Sequence, residues 1–79
     1  MPTMQGIVVD TNGAPVENAT ITIPAAGMFA LSDENGNFTI ENVPPGIQTV
    51  YVVHRNFQKF YADVNLAVDM NVTLELDRQ

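Results

Sequence analysis

The stretch Ser32-Asp33-Glu34-Asn35-Gly36-Asn37-Phe38-Thr39-Ile40-Glu41-Asn42-Val43-Pro44-Pro45-Gly46 leaves the chain few choices of fold. Asp33 to Gly36 supplies polar turn formers and a glycine able to take φ > 0. Phe38 and Ile40 alternate with polar Asn37, Thr39 and Glu41, the pattern of a half-buried strand. Pro44 and Pro45 cannot donate to a ladder and Gly46 permits a sharp reversal, so the strand stops there. A hairpin turn, a short strand and a corner in succession are the parts of a small β-sandwich.

The rest of the chain alternates in the same way. Met4 to Asp10 puts Met4, Gly6 and Val8 on one face and Gln5, Ile7 and Val9 on the other. Asn12-Gly13, within Asp10 to Pro15, is a strong hairpin signal. Val16 to Ile23 follows, with Ala19, Ile21 and Ile23 to one side. Met28 to Ser32 reads as a short peripheral strand, and Ile47 to Arg55 as a strand rich in β-branched and aromatic residues. Phe57 to Leu66 carries Phe60, Ala62, Val64 and Leu66 in register. Val68 to Leu76 closes the chain, with Val68, Met70, Val72, Leu74 and Leu76 pointing inward. Asp77-Arg78-Gln79 is expected to fray. No window of about 11 residues keeps a helical stripe that competes with this alternation. Seven short strands predict an all-β, seven-stranded antiparallel β-sandwich, one domain over residues 1–79.

Composition narrows the function classes. A net charge of −6 argues against nucleic acid and against an anionic membrane surface. No apolar run approaches the ~20 residues of a membrane span, and Met1-Pro2-Thr3-Met4 is not a signal peptide. The absence of cysteine removes disulfide frameworks and thiolate metal sites.

Particular residues resemble a known family. Gly6-x-Val8-x-Asp10 followed by Gly13-x-Pro15-Val16-x-x-Ala19-x-Ile21-x-Ile23 is similar to the opening of carboxypeptidase regulatory-like domains. Ser32-Asp33-Glu34-x-Gly36-x-Phe38-x-Ile40, then Val43-Pro44-Pro45-Gly46, resembles their middle signature, and Val72-x-Leu74-x-Leu76 their closing strand. The resemblance implies a transthyretin-like (prealbumin-like) sandwich. It further implies a non-catalytic accessory module of the kind attached to metallocarboxypeptidases, outer-membrane receptors and cell-surface proteins, and hence an extracytoplasmic setting. Two positions depart from the pattern. Gln48 stands where an aromatic is usual, and Asn56-Phe57 replaces Gly-Tyr or Gly-Phe, so Asn56 is expected to supply the left-handed backbone. The hydroxyisourate hydrolases of the transthyretin fold carry several histidines and a C-terminal Tyr-Arg-Gly-Ser, whereas this chain ends Leu76-Asp77-Arg78-Gln79.

The residues themselves offer little catalytic chemistry. A hydrolytic zinc site needs about three protein ligands, and His54 is the single histidine. Ser32 is the only serine, and a Ser32–His54 pairing competes with a structural role for each: Ser32 in a turn, His54 capping the core edge against a loop carbonyl. Asp33, Asn35 and Asn37 alternate like calcium ligands, but an EF-hand would need glycine and glutamate where Phe38 and Pro44 stand. A looser surface site would draw on Asp33, Glu34 and Asn35 with Asp10 or Asp69. The sequons Asn18-Ala19-Thr20, Asn37-Phe38-Thr39 and Asn71-Val72-Thr73 matter only along a eukaryotic secretory route. No metal or other cofactor is expected.

Two surfaces remain. If Val50 and Val52 face the core, then Ile47, Thr49, Tyr51 and Val53 form an apolar outward face suited to a protein partner, a neighbouring domain or a weak homodimer. Ile7 and Val9 pose the same question on the first strand, where the chain's own loops are the other cover. The second surface is His54 to Lys59, the one positive, aromatic-bearing loop of an acidic domain. With Arg55, Phe57, Phe60 and Tyr61 it could recognise a carboxylate or stack on carbohydrate, unless its aromatics complete the core.

Overall fold

A computed structural model of the chain describes residues 2–79. Seven strands run in the order β1 (Met4–Asp10), β2 (Thr20–Ile23), β3 (Met28–Leu31), β4 (Asn37–Ile40), β5 (Ile47–Val53), β6 (Phe60–Asn65) and β7 (Met70–Leu76). They form two packed sheets, β4-β1-β7 and β3-β2-β5-β6. The all-β sandwich read from the alternation is therefore the fold. One ladder departs from the wholly antiparallel expectation: β1 and β7, the first and last strands, pair in parallel over the full length of both.

Alternation fills the core from both sheets. Met4, Val8, Ile21, Ile23, Val50, Val52 and Leu76 are at most 1% exposed, and each lies on the face its spacing assigned. Val43, beside the Pro44-Pro45-Gly46 corner, is fully buried and joins them. Gln48 also points inward; its side-chain amide donates to the Pro44 carbonyl at 3.2 Å and so ties the corner to β5. Val68 breaks the pattern. It precedes β7 and is 69% exposed, because the closing strand begins only at Met70.

The turns form where the sequence places them but join different sheets. Asp10 to Ala14 closes with the Gly13 N–H donating to the Asp10 carbonyl and the Asp10 N–H to the Ala14 carbonyl. Only one bridge, Val9 to Pro15, follows before the chain crosses to β2 in the other sheet. Asp33 to Asn37 likewise carries the chain from β3 across to β4. Val16 to Ala19 is thus a crossing rather than the start of a strand. Ser32 fastens it: its buried hydroxyl donates to the Val16 carbonyl at 2.7 Å and accepts the Ala19 N–H at 2.9 Å. The left-handed non-glycine residues are Asn18 and Asn42, in crossings, and not Asn56.

The end of the chain does not fray. The Gln58 N–H donates to the Asp77 carbonyl at 2.7 Å, the Gln58 side chain to the Arg78 carbonyl at 3.1 Å, and the Gln79 side chain to the Phe57 carbonyl at 3.1 Å. Arg78 lies over the Phe57 ring, 4.9 Å from its centroid, and reaches to 3.9 Å from the Asp10 carboxylate. The last residues form a clasp from β7 onto the β5–β6 loop, and this clasp bridges the two sheets.

Candidate interaction face

The two outer faces of the sandwich differ in chemistry. On β4-β1-β7 the outward side chains include Gln5, Asn37, Thr39, Asn71, Thr73 and Glu75, all exposed and polar. Ile7 and Val9 lie among them but are half-buried: Gly36 sits close to both Ile7 and Pro15, and Val9 bridges to Pro15. The chain's own turns cover that pair.

The outer face of β3-β2-β5-β6 carries exposed aromatic and aliphatic side chains between threonines, and its register can be read row by row. One row runs Phe29, Thr22, Tyr51, Tyr61 across all four strands, and the next runs Leu31, Thr20, Val53. Phe29 is 68% exposed, Leu31 56% and Tyr61 67%. Tyr51 and Tyr61 stack with centroids 5.6 Å apart and planes 19° from parallel. Cross-strand aromatic pairs of this kind contribute about 0.5–1 kcal/mol. Thr49 donates to the Asp63 carboxylate at 2.9 Å, a polar pair that separates this patch from Ile47 at the far end.

Of the residues singled out from the sequence, Ile47, Thr49, Tyr51 and Val53 all face outward on β5, and Tyr61 joins them from β6. Phe29 and Leu31, which complete the patch, escaped the sequence reading although Met28 and Ala30 alternate with them. Arg55 is exposed in the adjoining loop, and neither it nor Lys59 has a carboxylate within ion-pair distance among the described residues. Phe57 is not available to a ligand. It is 5% exposed, packed in the core beneath Arg78 and edge-on to His54 at 5.2 Å, so it completes the core rather than a sugar platform. Phe60 too is half-buried against the core. Each tyrosine of the stacked pair spends one ring face on the other.

His54 and Ser32 are engaged separately by backbone. The His54 Nδ1 accepts the Asn56 N–H at 3.1 Å, which makes Nε2 the donor to the Glu17 carbonyl at 2.9 Å. This is the loop-capping arrangement, with no hydrogen bond between the imidazole and Ser32. Asp33 accepts from the Asn35 and Asn37 N–H groups, and Asp69 from the Thr3 N–H. Among the described residues no three His, Asp or Glu side chains converge. No described helix is long and apolar enough to cross a membrane.

Known structures share the fold. A chain of a type II cohesin–X–dockerin complex from Acetivibrio cellulolyticus superposes with a TM-score of 0.85 at 20% identity, covering 96% of this chain and 57% of that one. A chlorocatechol 1,2-dioxygenase from Pseudomonas putida gives 0.72 at 11% identity over 96% of this chain and 59% of its own. The Bacillus anthracis TIE protein gives 0.70 at 10% identity, with 98% of this chain matching 16% of that one. This chain therefore spans less than two thirds of each. No curated protein matches the sequence. The family of carboxypeptidase regulatory-like domains matches residues 3–77, nearly the whole chain, and the protein belongs to that family.

Proposed function

We propose that the domain is a non-catalytic interaction module that packs the outer face of β3-β2-β5-β6 against a protein partner or a neighbouring domain outside the cytoplasm. The observation that carries this reading is the row Phe29–Thr22–Tyr51–Tyr61, exposed at Phe29 and Tyr61 and half-buried between them, with exposed Leu31 and Val53 beside it. Single exposed apolar residues are ordinary on any surface, but aligned ones on a flat sheet form a patch. Leaving Phe29 and Leu31 more than half in water forgoes about 1–2 kcal/mol each relative to full burial. Four strands ~4.8 Å apart and four to seven residues long present on the order of 300 Å², well under half of what each partner commits to a standard interface. Such a face favours a partner already held nearby over free self-association, and a homodimer through it would be weak. Complexes between separate modules are represented among the fold relatives by the cohesin–X–dockerin assembly, which supports an interaction role by analogy.

The test is site-specific photo-crosslinking in the native host. A photoreactive residue at Tyr61 is expected to trap a protein surface, and one at Thr39 on the polar sheet is not. Equal labelling at both positions, or none at either, removes the assignment. Light scattering of wild type and Tyr51→Asp across a concentration series then decides whether the occupant is a second copy. Carbohydrate binding is a weaker reading, because Phe57 is buried, Phe60 is half-buried and Tyr61 is the one exposed aromatic of residues 54–61.

A further inference from the structure

The pairing of the first strand with the last has a mechanical consequence independent of the apolar face. β1 and β7 run parallel and register residue for residue from Met4 with Met70 to Asp10 with Leu76. Parallel strands send the chain in at one end of the sandwich and out at the other. A pull between the two chain ends therefore slides β1 past β7 along their common axis. Sliding loads all the evenly spaced ladder bonds together, whereas peeling loads them one after another. β1 cannot swing aside under that load, because it is the central strand and pairs on its other edge with β4.

Both ends of the ladder are fastened. At the entry, the Thr3 N–H donates to the Asp69 carboxylate at 2.8 Å and the Met70 N–H to the Thr3 carbonyl at 3.0 Å. At the exit, the clasp of Asp77 and Arg78 on Phe57 and Gln58 holds the end of β7 against the opposite sheet. Midway, Gly6 faces Val72 with no side chain between them; a Cβ there would collide with the Val72 carbonyl.

We propose that this domain is a load-bearing element: tension applied between its ends meets a shear-loaded β1–β7 ladder, and the sandwich stays folded under pulls that would unravel the same ladder by peeling. Single-molecule force spectroscopy on the whole chain tests this in two geometries. One attaches handles at the two termini. The other attaches them at the N-terminus and at Ala67→Cys, an exposed position just before β7, so that the same ladder opens from its entry end. The rupture force is expected to be roughly twofold or more higher end to end, since forced unfolding follows the barrier along the pulled direction. Equal forces, or a lower force end to end, overturn the proposal. Both geometries use the same folded sandwich, so a difference reports direction and not equilibrium stability. Arg78→Ala is expected to preserve the ratio; its collapse in that variant would place the resistance in the clasp and overturn the assignment to the ladder.

Discussion

Asp10 and Asp33 do the same work at two places. Each heads an Asp-x-Asn-Gly turn, and each accepts two backbone N–H groups on its Oδ1: Asn12 and Ala14 for Asp10, Asn35 and Asn37 for Asp33. In both turns the glycine N–H donates back to the aspartate carbonyl. The difference is burial, since Asp10 is 6% exposed and Asp33 lies in solvent.

Removing these carboxylates separates the two turns by energy. Asp10→Ala leaves two N–H groups in a sheltered turn without their acceptor and is expected to cost about 1–3 kcal/mol. Asp33→Ala, where water can substitute, should cost about 0.5–1.5 kcal/mol. Urea denaturation of both variants gives the order, and a larger loss for Asp33→Ala would contradict it.

Gly6 is required by space and not by backbone conformation. It has no positive φ, yet a methyl group there would meet the Val72 carbonyl. Gly6→Ala should destabilise by about 1–3 kcal/mol through overpacking in the ladder. Gly13→Ala has open space at a φ of +83° and should cost about 1 kcal/mol from backbone strain alone. Thermal melts of the pair distinguish the two causes.

Phe57 and Tyr61 trade the roles their loop first suggests. Phe57→Ala opens the core under Arg78 and is expected to cost about 3–5 kcal/mol. Tyr61→Ala loses only the exposed stack with Tyr51 and should cost about 0.5–1 kcal/mol while lowering crosslinking from a photoreactive residue placed at Phe29 in the same row. Denaturation midpoints measured beside the crosslinking yields check both.

The clasp can be opened without removing a core side chain. A chain ending at Leu76 loses the acceptor of the Gln58 N–H, and hydrogen exchange at that amide should accelerate by about tenfold or more, corresponding to roughly 1.4 kcal/mol of local protection. Amides at Val50 and Val52 should keep their protection.

Alternation of period two made the faces legible. The spacing alone puts Val50 and Val52 inside with Tyr51 and Val53 outside, and does the same for the buried residues of β1, β2 and β7. Partners could not be read the same way, because a face-alternating pattern says nothing about which strand lies alongside. The parallel meeting of Met4 with Met70 spans nearly the entire chain and leaves no local trace. Asp-x-Asn-Gly turns look alike whether they fold a hairpin or carry the chain between sheets. The His54–Lys59 loop has no period at all, so nothing in the order of residues reveals that Phe57 sinks inward while Arg55 stays out. Asn56 illustrates the same limit: the left-handed turns fell to Asn18 and Asn42, where the crossings bend.

The clasp also fixes a direction of departure. Gln79 is held beside Asn56 and Phe57, at the end of the sandwich where Arg55 and Lys59 flank the exposed row. A polypeptide fused after Gln79 would start at the rim of that row. A short flexible linker would then hold its cargo at millimolar effective concentration for the tyrosine pair, enough to populate contacts too weak to form between free molecules. Reporters and affinity tags placed at this terminus would compete for the face, and the opposite terminus is the position that leaves it clear.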